Sequence, residues 1–453
     1  MNWVIKENND NESVKRLSNE LNISPILSSM LVNRRVKTFD QAKKFFRPNF
    51  EMLHDPFLMK DMSLAVERIQ KAIQKNESIM IFGDYDVDGT SSVALLSMYL
   101  ESLGLKIIKY LPDRKKEGYG VSINAIDHAF SKNQKLIIAL DCGIKAHKQV
   151  EYAKEKGIEF IICDHHNPDK NLPKALAILN PKRKDCAYPF KELCGCGVGF
   201  KLVQAIESKQ SKDNQIINYL DLVALAIAAD VVPLIGENRV LAFIGLQIIN
   251  SNPRPGVHSL LKKNIKKEYT ISDLMYYVGP RINAAGRMKH ASLALELLIC
   301  NDINSVEKLA LEIEDLNTSR RDIEKDITSQ AIEQVDNSSE KLNSIVVFDS
   351  DWNKGVIGIV ASRLVDKYYK PSIVFCESSK GVLTASARSI KGLDLYSVLN
   401  QCKGFIDQFG GHKYAAGLTI KKENLEGFKK HFENIVSQII DKNIFEQELL
   451  IES

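Results

Sequence analysis

The sequence predicts an α/β protein with two lobes, and three observations carry that prediction. Short β-branched apolar runs alternate with helix-length segments from about residue 60 to 240. A second pattern of the same kind begins at Ser344. Between them, residues 303–336 form a charged amphipathic stretch rich in Glu, Lys, Ile and Gln, read as a helix joining the lobes. Alternating strands and helices imply a parallel sheet with helices on both faces. At 453 residues the chain exceeds what one hydrophobic core usually serves, so two or three domains are expected.

The elements follow in order. Residues 10–50 read as helical, with Ser24-Pro25 and Pro48 as punctuation. A helix over 64–74 precedes a strand over 79–84. A helix begins at Gly89, with Thr90, Ser91 and Ser92 in its first turn. A strand at 106–110 leads into the loop Pro112–Gly120. Then come a helix at 122–132, a strand at 136–141, a helix at 145–156 and a strand at 158–163. Leu220 to Ala229 reads as a helix that delivers Asp230. The second pattern predicts a strand at 344–349, a helix at 355–368, strands at 372–376 and 382–387, a helix at 394–402 and a strand at 415–420. No internal repeat or low-complexity tract interrupts this order.

Composition narrows the function classes. A net charge of +4 is nearly balanced, so nucleic-acid contact must come from local patches. Only 15 of the 61 basic residues are Arg, so an Arg inside a motif points to a need for its planar fork. The eight cysteines are scattered, and Cys194-Gly195-Cys196 is too closely spaced for a usual zinc pair; reduced buried thiols are expected. The amino terminus shows no signal-peptide core. The longest apolar stretch, Val223 to Val232, is short and broken by Asp230, so no membrane span is expected.

Three apolar runs end in acidic residues. Ile79-Met80-Ile81-Phe82 leads into Gly83-Asp84-Tyr85-Asp86-Val87-Asp88-Gly89. Leu136 to Leu140 leads into Asp141-Cys142-Gly143, and Phe160 to Cys163 into Asp164-His165-His166. Such runs read as buried parallel strands, beyond whose carboxyl ends ligands gather. A lone Asp at a strand end is ordinarily a turn or cap, and Asp164 reads as a support for His165. Agreement among several strand ends reverses those odds. Asp84, Asp86, Asp141, His165 and Asp230 together form a hard oxygen and nitrogen donor set that suits Mn²⁺ or Mg²⁺ better than structural zinc. Two such ions could activate water and clamp a phosphoryl oxygen.

These motifs resemble motifs I to IV of the DHH phosphoesterases: Asp84 to Gly89, Asp141-Cys142-Gly143, Asp164-His165-His166 and Ala229-Asp230-Val231-Val232-Pro233. The finer resemblance is to the RecJ family of single-strand-specific 5′→3′ exonucleases. Glu117-Gly118-Tyr119-Gly120, Gly279 to Arg287, Gly355 to Leu364, Ser386-Ala387-Arg388-Ser389, Gly410-Gly411-His412 and Ala415-Ala416-Gly417 carry it. It spans about residues 20–420. The resemblance implies a helical segment over 1–55, a DHH catalytic domain over 56–300, a connecting helix over 301–340 and a DHH-associated substrate-binding domain over 341–453, with a cleft between the domains. It implies Asp84, Asp86, Asp141, His165 and Asp230 as ligands of two Mn²⁺ or Mg²⁺ ions, and His166 as the second active-site His. Asp88 stands open between ligand and supporting carboxylate. Arg114, Arg281, Arg287 and Arg388 are implied phosphate-binding residues, Ser386 with Arg388 a terminal-phosphate pocket, and Gly410, Gly411 and His412 a close approach to substrate. The bland alternatives are surface ion pairs for the arginines and a plain tight turn for Gly410-Gly411. Tyr119, Tyr188 and Tyr414 are candidate stacking platforms, with core packing the commoner role for any one of them.

The implied function is release of 5′-mononucleotides from single-stranded DNA in recombination and repair. A cytoplasmic monomer is implied, working with a single-strand-binding protein and a RecQ-type helicase and with no membrane. Two alternatives use the same fold: hydrolysis of short RNA or cyclic dinucleotides, and a non-catalytic scaffold. The sequence departs from the family pattern in having Asn353 where a His is usual. Longer relatives continue into an OB-fold module, and this chain ends about where it begins, which predicts weaker and more salt-sensitive DNA binding.

Overall fold

The computed structural model describes residues 2–6, 10–114, 116–209, 215–262, 265–338, 342–439 and 448–452. It divides into two units. One joins Met1–Ala42 to Thr318–Ser453, and the other is Lys43–Asn317. The division at 317/318 falls inside one continuous helix, Ile303–Asp336. The domain boundary expected at 340/341 lies outside the described residues, as does Lys115 of the loop after the 107–110 strand.

The first unit opens with strand β1 (Asn2–Lys6), followed by helices Asn11–Leu21 and Pro25–Asn33. Ser24 caps the second of these, its hydroxyl accepting from Leu27 N, and Pro25 sits at the first helical position, where it costs no hydrogen bond.

The second unit is built on five parallel strands: β2 (Ile79–Gly83), β3 (Ile107–Tyr110), β4 (Leu136–Leu140), β5 (Glu159–Cys163) and β6 (Ala177–Leu179). Their order is β3-β2-β4-β5-β6. Both faces are covered, which is why the strands are apolar without alternation. Ile81, Ile138 and Ile161 face one core, while Met80, Phe82, Ile137 and Phe160 face the other. The chain leaves β2 for β3 on one side and returns to β4 on the other, so the β2–β4 boundary is the topological switch point. Register aligns the carboxyl ends there: Gly83 pairs with Leu140, and Leu140 with Cys163. The residues that follow, Asp84, Asp141 and Asp164, therefore emerge at one level. The strand–helix alternation expected as far as residue 240 stops at β6. The unit continues with helices Gly195–Ser208, Leu220–Asp230, Gly236–Ser251 and Gly279–Met288.

The rest of the first unit carries a mixed sheet of β7 (Ile345–Phe348), β8 (Ser372–Ser379), β9 (Val382–Arg388), β10 (Gln408–His412) and β11 (Ala415–Lys421), in the order β10-β11-β9-β8-β7. Only β7 and β8 are parallel, joined through the helix Ile357–Tyr368. Phe375, Phe428 and Phe432 anchor its core. A final strand, β12 (Glu448–Glu452), pairs in parallel with β1. Gly410 and Gly411 do not form the turn that the bland reading allowed. They lie in β10, opposite Gly417 and Ala416, because a hairpin turns at Lys413-Tyr414 instead.

Candidate metal centre and anion-binding face

The β2–α connection is tight. Asp84 follows β2 directly, Asp86 caps the next helix by accepting from Gly89 N at 3.0 Å, and that helix begins at Val87 rather than Gly89. Gly89 is required: a β-carbon there would sit 2.4 Å from the Asp84 carbonyl oxygen. The two-residue shift places Asp88 inside the first turn, fully buried. Its oxygens accept from Gly195 N at 2.7 Å and Cys196 N at 2.6 Å, so the start of the helix Gly195–Ser208 clasps it. Gly195 also packs on Asp141, where a β-carbon would lie 2.6 Å from Asp141 Cβ. Asp141 holds a left-handed φ of 60°, unusual for a non-glycine residue and stabilised by its N–H bond to the Cys163 carbonyl at 2.9 Å.

His165 stands at the centre. Its Nε2 is 3.2 Å from Asp141 Oδ1, 3.6 Å from Asp230 Oδ2 and 4.0 Å from Asp88 Oδ2. Asp230 arrives from the last turn of Leu220–Asp230, which Val231 ends in a left-handed conformation. Among the described residues, two groupings bring ligand atoms within 4.8 Å of one another: Asp141 with His165 and His166, and Asp88 with His165 and Asp230. Asp84 Oδ1, Asp141 Oδ1 and both ring nitrogens of His165 are buried without a hydrogen bond. Orphaned atoms of this kind are costly unless a ligand satisfies them, so the donor set fits divalent cations.

Electrostatics agree. Burial, then Asp86, pushes the Asp84 carboxyl well up. Burial and then the Asp88, Asp86, Asp84 and Asp230 charges do the same to Asp141. Asp88 is pushed up to about 7 by burial and then Asp230, and Asp230 to about 7 by burial and then Asp86. Carboxylates this crowded hold protons unless positive charge is supplied.

Asp164 behaves differently. Burial alone would raise its carboxyl, but hydrogen bonds from His166 and from backbone N–H groups bring it to about 2. It accepts from Ile144 N, His165 N and His166 N, and it lies 2.8 Å from His166 Nδ1. It organises the turn, but the ring it holds is that of His166 and not, as the sequence suggested, that of His165, which it meets only at the backbone N–H. His166 Nε2 meets the Tyr119 hydroxyl at 3.3 Å. Burial lowers the His166 pKa, and the Asp164 hydrogen bond reverses this to leave it raised.

The expected phosphate-binding residues divide. The Arg114 guanidinium lies 4.8 Å over the Tyr85 ring, and Gly286 beside Arg287 packs close to the Tyr85 carbonyl. Arg281 instead makes the ion pair that the bland reading allowed. It donates to Glu314 at 2.6 and 3.3 Å and to the Tyr277 carbonyl, tying Gly279–Met288 to the start of Ile303–Asp336. In the first unit, Arg388 donates to Ser386 Oγ at 3.1 Å. Register sets Gly410, Gly417 and Ser386 in one cross-strand row, and His412, Ala415 and Arg388 in another. Rows two residues apart share a face, so small residues border Ser386 and Arg388 on the face that carries His412. Gly358 completes this wall: a β-carbon there would lie 2.9 Å from Ser386 Oγ. Asn353 accepts from Gly355 N at 2.8 Å and so shapes the turn into Ile357–Tyr368.

Tyr188 is no stacking platform. It is fully buried, and its hydroxyl donates to Glu237 at 2.6 Å. Tyr119 and Tyr414 are exposed. Sequence reading missed Gly195, whose run Cys194-Gly195-Cys196-Gly197 raised only a question about zinc. Glycines opening a helix were the available signal.

Residues 78–227 match the DHH family N-terminal domain, and 341–438 match the DHHA1 domain. The chain is 39% identical over 451 residues to the single-stranded-DNA-specific exonuclease RecJ of Bacillus subtilis, covering 98% of this chain and 56% of that protein. Against RecJ of Haemophilus influenzae it is 37% identical, covering 94% and 77%. The crystal structure of RecJ in complex with Mn²⁺ from Thermus thermophilus superposes with a TM-score of 0.87 at 25% identity, over 99% of this chain and 64% of that one. A manganese-bound exonuclease RecJ gives 0.76 at 29% identity, over 86% and 97%. The chain thus spans little more than half of the Bacillus relative. The matched domains, in this order and across this length, place the chain in the family of RecJ single-stranded-DNA-specific exonucleases.

Proposed function

We propose that the chain hydrolyses single-stranded DNA from its 5′ end, releasing 5′-mononucleotides in DNA recombination and repair. The observation that supports this is the gathering of Asp141 with His165 and His166, and of Asp88 with His165 and Asp230, at the sheet's switch point, with buried atoms of Asp84, Asp141 and His165 left unsatisfied; Asp84, Asp86, Asp141, His165 and Asp230 are the proposed ligands. These residues would hold two divalent cations, Mn²⁺ or Mg²⁺; related RecJ structures carry the one or the other. When bound, the ions supply Lewis acidity and neutralise charge at the scissile phosphate.

The chain's own residues do the rest. Asp88, clasped at both oxygens, holds the start of the Gly195 helix against Asp141 and so keeps the donor set in place. Asp164 fixes the His166 ring and favours its protonated form, which suits His166 to neutralise a phosphate oxygen. Arg114, Arg287, Ser386, Arg388 and His412 supply donors for phosphates, with Gly410 and Gly411 giving the strand close access to the backbone. Arg281 retains at most a supporting part through Glu314. Exposed Tyr119 and Tyr414 offer rings for stacking that tolerates any base, worth about 1–3 kcal/mol per base. No helix among the described residues is long and apolar enough to cross a membrane. A cytoplasmic monomer served by a single-strand-binding protein and a RecQ-type helicase completes the reading.

Digestion of 5′- and 3′-labelled single strands, short RNA and a cyclic dinucleotide with Mn²⁺, Mg²⁺ or chelator tests it. Mononucleotides released first from the 5′ end of DNA, and lost with chelator or in Asp141→Ala, are expected. Preferred hydrolysis of RNA or the cyclic dinucleotide would overturn the substrate assignment, and full activity in Asp141→Ala would overturn the site.

A further inference from the structure

A second basic site lies in the first unit, apart from the Ser386–Arg388 pair. A cavity of about 520 Å³ opens between the helix Ile303–Asp336 and the helix Ile357–Tyr368, a size typical of ligand sites. Arg320, Arg321, Lys325 and Arg363 line it, against Asp322 and Glu324. Glu324 is buried, and its two oxygens accept from Arg320 at 2.6 Å and from Arg363 at 3.1 Å. Two guanidinium groups converging on one oxyanion is also the way arginine grips phosphate. Thr328 lines the same cavity, and its Oγ1 is buried with no hydrogen bond. Burial lowers the pKa of Arg320, and neighbouring Arg321 and Arg363 push the same way against Glu324. The lining sets four cationic side chains against two carboxylates, so the cavity keeps an excess of positive charge even with Glu324 in it.

Its position is informative. Gly358, which walls the Ser386–Arg388 pair, and Arg363 belong to the same helix, five residues apart. That separation is about 7.5 Å of helix rise with about 140° of rotation around the axis, so the two sites lie on different faces of one helix, within reach of a strand that passes around it. We propose that this cavity binds an internal phosphodiester of the single strand, close behind the terminal phosphate, with Glu324 as a built-in competitor that occupies the arginines when no strand is present. The inference rests on the nuclease reading for its ligand, but the cavity is separate from the metal centre.

The test is binding of 3′-labelled, 5′-phosphorylated oligothymidylate of eight nucleotides to the full chain in chelator, where no cleavage occurs, across a salt series. Arg363→Gln should weaken binding about tenfold and lower the salt slope by about 0.7, the loss of one phosphate contact on a single strand. Glu324→Gln, which keeps the shape and removes the competitor, should tighten binding by a similar factor. Gain of affinity cannot come from partial unfolding, so opposite signs in the two variants separate an anion site from a structural ion pair. Weakening in both variants, no change in either, or no binding by the parent chain would overturn the proposal. So would an effect confined to inorganic phosphate or thymidine 5′-monophosphate, which would make the cavity a product site. A parent chain that binds the strand but leaves it uncut with Mn²⁺ sinks the nuclease reading alone.

Discussion

Gly195→Ala tests the metal centre without touching any proposed ligand. The added methyl carbon would lie 2.6 Å from Asp141 Cβ and 2.7 Å from Asp141 Oδ1, where ordinary contact begins at 3.4 Å. Either the carboxylate or the helix must therefore retreat by about 0.8 Å, the difference between 3.4 and 2.6 Å. Asp141 has little freedom, since its backbone is held at φ 60° and bonded to Cys163. Movement of the helix instead pulls Gly195 N and Cys196 N away from Asp88. Overpacking of this kind costs about 1–3 kcal/mol of stability. Disturbing the groups that orient a ligand costs about 10–100-fold in metal affinity. Titration calorimetry with Mn²⁺ reads the second effect and thermal unfolding in chelator the first. Cleavage of single-stranded DNA should recover partly as Mn²⁺ is raised. An Ala variant that binds Mn²⁺ as tightly as the parent, while showing the stability loss, would refute Asp141 as a ligand held in place by this helix.

The remaining predictions follow from the same geometry. Asp88 and Asp230 are pushed up to about 7 in the folded chain, above the ordinary carboxylate value of 3.8, so the folded state binds more protons between those limits. The metal-free protein should lose stability as pH rises from about 4 to 7, and the gain in melting temperature on adding Mn²⁺ should grow over the same range. A metal-induced gain that is flat with pH counts against a crowded carboxylate site. Asp164→Asn removes the partner that overcomes burial at His166, so the His166 titration seen by NMR should fall from above 6.5 to below it; an unmoved titration would break that link. Gly358→Ala sets a methyl 2.9 Å from Ser386 Oγ and should erase any preference for a 5′-phosphate over a 5′-hydroxyl end, with little effect on Mn²⁺ affinity. Tyr188→Phe leaves Glu237 short of a hydrogen bond at a fully buried site and should destabilise by about 1–3 kcal/mol with no loss of DNA affinity, as measured by denaturant unfolding and anisotropy.

Much of this protein was legible in one dimension. The runs at 79–83, 136–140 and 159–163 are apolar on both faces, a local property that marks buried parallel strands wherever they lie. Polar residues at their carboxyl ends mark the ligand edge by a rule of chain connectivity, so Asp84, Asp141 and the Asp164-His165-His166 turn could be named beforehand. Contacts between remote segments could not. Asp88 and Gly195 are 107 residues apart and meet because two helices pack behind the sheet. The sequence left Arg281 open between a phosphate fork and an ion pair, and Tyr188 between a platform and the core, until the fold set Glu314 beside the one and buried the other against Glu237. Gly410 and Gly411 left a plain turn open as the alternative to a close substrate approach, and cross-strand register put them in β10. Periodicity is written in neighbouring residues and survives in sequence. The partner a side chain finds depends on helix packing and strand register, which only the folded chain decides.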